Sequence, residues 1–123
     1  MHRILVVDDE RLVADTLALV FAKSGFEARA AYSTDAAVEC AREFQPHLLV
    51  SDITMPGKDG HSLLDTISQD HPSCRIMVLT GFYSNLKRVR EQSSRLARPV
   101  GILTKPCPPD DLLREAAAIL AST

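Results

Sequence analysis

Residues 48–60 read Leu-Leu-Val-Ser-Asp-Ile-Thr-Met-Pro-Gly-Lys-Asp-Gly. An apolar run ends at Asp52, and a Pro/Gly loop follows within a few residues. This pattern is typical of a buried strand that ends at a surface. A carboxylate there can contact solvent, a metal ion or a substrate. Aspartate also favours turns for purely structural reasons, so this stretch alone leaves the role of Asp52 open.

The composition is that of an ordinary globular protein. The chain has 123 residues, of which 24% are charged and 46% hydrophobic, and we expect a single domain over residues 1–123. A formal net charge of -2 gives no overall attraction to nucleic acid or anionic lipid, and no apolar run is long enough for a membrane span. Met1 leads within three residues into a strand-like run, without a charged leader or a cleavage site, so we expect a cytoplasmic location.

The cysteines and histidines do not predict a metal site. The cysteines are widely spaced and odd in number, which favours reduced, packed thiols over disulfides or zinc ligands. The histidines form no pair at metal-ligand spacing and are predicted to be ordinary surface or strand residues. These residues are Cys40, Cys74, Cys107, His2, His47, His61 and His71.

Short aliphatic runs alternate with stretches whose apolar residues recur at helical spacing. Alternation of this kind, with short connections, predicts an α/β fold in which helices cover both faces of a parallel sheet. The predicted elements are β1 (4–7), α1 (11–24), β2 (26–31), α2 (35–44), β3 (47–51), α3 (61–70), β4 (75–79), α4 (84–96), β5 (101–103) and α5 (110–120).

Polar side chains follow four of these strands. In an open parallel sheet, ligands bind beyond the carboxyl ends of the strands, and those ends carry Asp8, Asp9, Asp52, Thr80 and Lys105. Clustered carboxylates stay ionised together when a cation lies among them, and a few oxygen ligands with retained waters suit Mg²⁺. Taken singly, each residue could be only a helix cap, a turn residue or a solvated lysine. Their joint placement predicts a phosphoryl-transfer site in which Asp52 attacks, Lys105 neutralises charge and Thr80 donates a hydrogen bond.

The chain resembles a response regulator receiver domain of two-component signal transduction over essentially its whole length. The resemblance implies a doubly wound, flavodoxin-like (βα)5 fold with a five-stranded parallel sheet in the order 2-1-3-4-5. The matching pieces are Val-Val-Asp8-Asp9-Glu10, Asp52-Ile-Thr-Met55-Pro56-Gly57, Leu79-Thr80-Gly81 and Lys105-Pro106.

The resemblance also implies a magnesium site. Asp52 would be the phosphoacceptor and a metal ligand, Asp9 a direct Mg²⁺ ligand, and Asp8 a ligand through water. The backbone carbonyl of Thr54 would complete the protein's share.

On the same resemblance, Thr80 and Lys105 would hold the phosphoryl oxygens. The Lys105–Pro106 bond would be cis, and Gly81 would leave room for the phosphoryl donor. That donor would be a sensor histidine kinase or a histidine phosphotransfer protein, and the domain would signal to an unidentified output protein through its α4–β5–α5 surface. We expect a switch that phosphorylates and dephosphorylates only itself, not an enzyme. The sequence leaves open a phosphorylation-linked dimer, and a stand-alone regulator as well as a piece of a longer one.

The sequence departs from the family between β4 and β5. Ile102 stands where the family usually has an aromatic residue, and the segment from Phe82 to Val100 is somewhat longer than usual. We therefore expect switching to rely on Thr80 and the backbone after it, with Phe82 or Tyr83 substituting for the aromatic residue.

The same segment is rich in cations. They predict either a solvated helix face or a docking patch for an acidic partner, and direct nucleic-acid binding is not expected. The residues are Lys87, Arg88, Arg90, Arg95 and Arg98, against the single acid Glu91.

Two other functions are compatible with parts of the pattern. A phosphatase with an aspartyl intermediate would usually need a second acid two residues after Asp52, where this chain has Thr54. An interaction module that ignores phosphorylation would not need the intact set of acids, hydroxyl and lysine.

Overall fold

The computed structural model describes residues 2–53, 60–81, 83–96, 100–105 and 107–121, with the backbone alone for residues 83–86. Within these ranges, five strands alternate with five helices. They are β1 (Arg3–Val7), α1 (Arg11–Lys23), β2 (Glu27–Ala31), α2 (Thr34–Phe44), β3 (Leu48–Asp52), α3 (Gly60–Asp70), β4 (Arg75–Thr80), α4 (Tyr83–Ser93), β5 (Val100–Thr104) and α5 (Pro109–Ala121).

The strands form one parallel sheet in the order β2-β1-β3-β4-β5, which confirms the predicted fold class and strand order. The chain leaves β1 toward one edge to form β2 and then returns to the other side of β1 to form β3. This reversal opens a crevice at the carboxyl ends of β1 and β3.

Strand residues alternate between two apolar layers because successive side chains of a strand point to opposite faces of the sheet. Ile4 and Val6 pack in the layer that α1 and α5 cover, together with Phe21 and Leu112. Leu5 and its alternate neighbours pack in the layer that α2, α3 and α4 cover. Every residue of β3 is buried, which accounts for its continuous apolar run.

Strands β3 and β4 extend one residue farther than the sequence predicts, so Asp52 and Thr80 are the last residues of their strands. Ladder pairing continues there, since Asp52 lies opposite Leu79 and Thr80 lies opposite Thr104. Both polar side chains are consequently fixed by the sheet and not by a loop.

Helix α4 ends at Ser93 and not at Leu96, so its predicted length is wrong. The backbone N–H of Leu96 donates to the Ser93 carbonyl at 3.2 Å, a tight turn that ends the helix. The Ser93 hydroxyl accepts a hydrogen bond from the backbone N–H of Val100 at 2.9 Å and joins this turn to β5. Leu96 still packs against the core, although it lies beyond the end of the helix.

The prediction that His61 is a surface or strand residue is also wrong, because it lies in α3 with only 5% of its surface exposed. The predicted packed thiols are confirmed. The three cysteines are free, and burial raises the pKa of the Cys74 thiol to about 12. Among the described helices, none is both long enough and apolar enough to cross a membrane.

Candidate functional site

The sheet brings together two predicted site segments that lie more than forty residues apart in sequence. Strands β1 and β3 are neighbours, with Val7 opposite Ser51. Asp8 directly follows β1 and Asp52 is the last residue of β3, so the two residues lie side by side at the same edge of the sheet. We call this the carboxyl edge of the sheet. Lys105 reaches the same edge because its backbone N–H donates to the Thr80 carbonyl at 2.9 Å, directly after β5.

Three carboxylates meet at the carboxyl edge. Asp8, Asp9 and Asp52 each offer an oxygen, and these oxygens lie within 4.8 Å of one another. Asp8 is 2% exposed and Asp52 is 8% exposed, whereas Asp9 is exposed to solvent. Within the described ranges, this is the one group of three or more acidic, histidine or cysteine side chains close enough to share a metal ion.

Asp8 has an unusual environment for a carboxylate. Its Oδ1 accepts a hydrogen bond from the backbone N–H of Glu10 at 3.0 Å, but its buried Oδ2 accepts none from any described residue. Burial is the main cause that raises the pKa of Asp8, and the negative charges of Asp52 and Asp9 raise it further. The hydrogen bond from the Glu10 N–H and the positive charge of Lys105 lower the pKa, but they do not cancel the rise. Asp8 Oδ2 is therefore a buried carboxylate oxygen to which a cation can bind without displacing a hydrogen bond from any described residue.

Lys105 links two of the acids. Its Nζ donates to Asp52 Oδ2 at 3.1 Å and lies 3.7 Å from Asp8 Oδ2. Burial lowers the pKa of Lys105, but the hydrogen bond to Asp52 and the charges of Asp52 and Asp8 outweigh that effect and raise the pKa overall. The ammonium is consequently charged at neutral pH and partly offsets the negative charge of the cluster.

Thr80 and Gly81 follow on the neighbouring strand. Thr80 is 1% exposed at the end of β4. Gly81 is exposed, and among the described residues a Cβ added there would come within 4 Å of Lys105 Cβ alone, at 3.9 Å. As far as the described residues go, the space beside Lys105 at Gly81 is therefore open on the solvent side.

The donor set fits Mg²⁺. Hard oxygen ligands from few carboxylates suit this ion, and the buried Asp8 Oδ2 has no competing hydrogen bond. The Thr54 carbonyl, predicted as a further ligand, lies outside the described residues, as do Pro106 and Phe82. The backbone hydrogen bond from Glu10 to Asp8 was not predicted, although an Asp two residues before its donor is a common local turn.

A protein-family model described as "Response regulator receiver domain" matches residues 4–117. The chain belongs to this family. The crystal structure of the NtrX receiver domain from Brucella abortus supports the assignment, with 30% identity, a TM-score of 0.85 and coverage of 98% of this receiver and 99% of that chain. A CheY-like receiver domain protein from Methanospirillum hungatei has a TM-score of 0.88 at 25% identity, covering 98% of this receiver and 94% of that chain.

The receiver is also similar to parts of longer curated proteins. It is 31% identical over 127 aligned residues to the uncharacterized transcriptional regulatory protein YesN of Bacillus subtilis, covering 98% of this chain. It is 34% identical over 82 residues to the nitrogen assimilation regulatory protein NtrX of Azorhizobium caulinodans, covering 65% of this chain. The receiver spans 33% and 18% of the lengths of these two relatives.

Ile102 gives the receiver an aliphatic side chain in the middle of its edge strand. It is partly buried and packs against the apolar layer that α2, α3 and α4 cover, with Leu96 and Val100. A β-branched side chain of this kind has few rotamers, so it suits stable packing better than a large side-chain rotation.

Proposed function

We propose that this receiver accepts a phosphoryl group on Asp52 from the phosphohistidine of a sensor histidine kinase or a histidine phosphotransfer protein, in a Mg²⁺-dependent reaction. The observation that carries the proposal is the pairing of Asp52 with the Lys105 ammonium at 3.1 Å, beside two further carboxylates. A structural ion pair alone does not explain why Asp8 is buried in the same cluster with an oxygen that accepts no hydrogen bond from the described residues.

In the proposed step, a carboxylate oxygen of Asp52 attacks phosphorus and forms the new P–O bond. The P–N bond to the donor's imidazole breaks, and the imidazole nitrogen keeps the electron pair. The Lys105 ammonium offsets charge on the phosphoryl oxygens, and the Thr80 hydroxyl donates a hydrogen bond to one of them. Bound Mg²⁺ would supply further positive charge beside the phosphoryl oxygens, held by Asp8, Asp9, Asp52 and the Thr54 carbonyl.

The exposed surface around the site supports the proposal that a phosphohistidine protein can reach Asp52. Leu12 lies in the first turn of α1, directly after the Asp8-Asp9 segment, and is 80% exposed. A large apolar side chain at this position offers contact area to any protein that brings a phosphohistidine to Asp52. A Cβ at Gly81 would meet Lys105 Cβ at 3.9 Å, which is ordinary contact distance, and this supports the proposal that the donor approaches past Gly81.

We further propose that phosphorylation is reported through the α4–β5–α5 surface. β5 is an edge strand whose residues are at least partly exposed, so a partner can reach it between the two helices. With Ile102 packed in place, the backbone after Thr80 would carry the change. In this proposal the receiver catalyses only its own phosphorylation and dephosphorylation, and its cytoplasmic location remains a prediction from sequence.

The test is incubation with acetyl phosphate in the presence and absence of Mg²⁺, followed by intact mass spectrometry. Wild type should gain one phosphoryl group with Mg²⁺ only, and Asp52→Asn should gain none. Asp15→Asn serves as a matched control, because Asp15 is an exposed acid on α1. Phosphorylation of Asp52→Asn to the wild-type extent would exclude Asp52 as the acceptor.

The same experiment separates the rival functions. A phosphatase would release inorganic phosphate continuously without a stable adduct, and a module that ignores phosphorylation would remain unmodified. A single phosphate on wild type alone favours the receiver switch.

A further inference from the structure

The charge of the molecule is unevenly distributed. Residues 83–96 carry four cations and one acid, a net charge of +3, in a chain whose net charge is -2. The remaining residues therefore carry -5. Lys87, Arg88, Arg90 and Arg95 are all exposed, and we call them the α4 basic surface.

The α4 basic surface borders a concave site and not a flat helix face. A cleft of about 320 Å³ lies between α3 and α4, and we call it the α3–α4 cleft. Its walls are formed by Ser62, Asp65 and Thr66 from α3, and by Arg88, Gln92 and Arg95 from the other side. Two guanidinium groups and two hydroxyl side chains thus line the same space.

A buried hydrogen-bond network fixes the floor of this cleft. Gln92 is 3% exposed, and its Nε2 donates to the His61 backbone carbonyl at 2.6 Å and to Asp65 Oδ1 at 2.8 Å. Because both of these partners are acceptors, the amide orientation is set, and Gln92 Oε1 accepts from His61 Nδ1 at 2.9 Å. The network holds α3 and α4 together, so the cleft is formed before any ligand binds.

We propose that the α3–α4 cleft binds carboxylate side chains of an acidic segment of a partner protein. Arginine guanidinium groups pair with carboxylates through two parallel hydrogen bonds, and the two arginines provide this on one wall. The exposed acid Asp65 faces the same cleft, and its charge disfavours doubly charged phosphate groups more than singly charged carboxylates. A cleft of about 320 Å³ between two helices is also too small to hold a nucleic-acid duplex.

This contact is separate from the phosphoacceptor chemistry. None of the residues that line the cleft belongs to the carboxyl-edge cluster of Asp8, Asp9, Asp52 and Lys105. Only a link between this contact and the phosphorylation of Asp52 would rest on the proposed function. The binding contact itself does not depend on it. The binding test therefore uses the unphosphorylated protein, and its result is independent of the mass-spectrometric test above.

The first experiment uses end-labelled poly-L-glutamate as the probe and fluorescence anisotropy as the readout, at low ionic strength and at about 0.15 M salt. Charge reversal in Arg88→Glu/Arg95→Glu should weaken binding by about tenfold or more. The matched control is Lys23→Glu/Arg42→Glu, which makes the same change in net charge at exposed positions on α1 and α2 and should retain most of the affinity. Equal losses in both pairs, or no binding by wild type, would overturn the proposal.

A second pair of variants separates the cleft from the general charge. Asp65→Asn removes the acid from the cleft wall while keeping an oxygen that can accept from Gln92, so it should tighten poly-L-glutamate binding by about threefold. Asp70→Asn removes an exposed acid at the far end of the same helix and should change the affinity much less. Equal effects of the two neutralisations would show that the cleft has no special role.

A single-stranded oligonucleotide of matched charge tests the class of partner. Tighter binding of the oligonucleotide than of poly-L-glutamate, lost in Arg88→Glu/Arg95→Glu, would overturn the assignment to an acidic protein. Thermal unfolding of each variant checks the fold. Arg88→Gln/Arg95→Gln provides a milder pair that should show a smaller loss in the same direction.

Discussion

Replacing Asp8 by asparagine should make the metal-free protein more stable and, at the same time, remove its stabilisation by Mg²⁺. Asp8 is 2% exposed, and its Oδ2 accepts no hydrogen bond from the described residues. A buried acceptor left without a partner costs about 1–3 kcal/mol, and more when it is charged. Asparagine keeps a polar group there but carries no charge, so it relieves the burial of charge and the repulsion from Asp52 and Asp9. The substitution also loses the ion pair with Lys105 at 3.7 Å, which contributes about 0.5 kcal/mol because the lysine side chain is 37% exposed.

The net expectation for Asp8→Asn without metal is a gain of about 1 kcal/mol in the free energy of unfolding, or about 3–5 °C in Tm for a domain of this size. Wild type should gain about 1.4 kcal/mol when free Mg²⁺ is ten times its Kd, and the variant should gain little. Urea unfolding with EDTA and with Mg²⁺ measures both quantities.

The dependence on pH has a definite sign. Burial raises the folded-state pKa of Asp8 above the ordinary value of 3.8, so the folded protein binds more protons than the unfolded chain just above that value. Ionisation of Asp8 therefore lowers the stability of metal-free wild type as the pH rises through this interval, and the advantage of Asp8→Asn should grow over the same range. The matched control, Asp70→Asn, removes an exposed acid and should change stability by no more than about 0.5 kcal/mol. A variant that is less stable than wild type in EDTA, or one that keeps the full response to Mg²⁺, would refute the reasoning.

Three further predictions test other parts of the structure. A Cβ at Gly101 would lie 2.6 Å from Ile119 Cδ1, so Gly101→Ala should lower the free energy of unfolding by about 1 kcal/mol. The loss should be distinctly smaller in an Ile119→Val background, which lacks Cδ1. Equal losses in both backgrounds would exclude the clash. Leu12→Ser should slow phosphoryl transfer from a phosphohistidine protein but not from acetyl phosphate. Leu19→Ser, on the same helix but farther from the site, should leave both rates near wild type. Equal slowing by the two variants would argue against a role for Leu12. Burial raises the pKa of Cys74 to about 12, so only about one thousandth of this thiol would be ionised at pH 9. Iodoacetamide should therefore modify Cys74 only after denaturation. Rapid labelling of Cys74 in the native protein would contradict its burial.

The sequence predicted the architecture because its signals are local. The unbroken apolar run of β3 and the helical spacing of Leu63, Leu64 and Ile67 each reflect burial on one or two faces, and burial is what the sheet and its helices require. The fold class and strand order are confirmed in the structure. The end of α4 was predicted wrongly, because the turn in which the backbone N–H of Leu96 donates to the Ser93 carbonyl ends the helix, and no residue type in this segment marks that turn.

The α3–α4 cleft shows where sequence reasoning failed. His61 and Gln92 look like ordinary polar residues of two exposed helices, yet they are buried against each other 31 positions apart. One signal was available, since Gln92 follows the buried Val89 by three residues and therefore lies on the inward face of α4. A polar side chain on such a face needs a buried partner, but the sequence does not say which one.

By itself, the sequence determined which polar residues share the carboxyl edge of the sheet, because parallel strands bring all their carboxyl ends to one edge. That rule predicts a shared edge for Asp8, Asp9, Asp52, Thr80 and Lys105, whereas only the family resemblance implies a role for the Thr54 carbonyl. Only the tertiary structure decided that Lys105 pairs with Asp52 at 3.1 Å, that Asp8 Oδ2 is buried without a hydrogen bond from the described residues, and that α3 and α4 enclose a cleft with two arginines. These features depend on distances between side chains of different elements, and such distances are set by packing across the whole fold and not by local sequence.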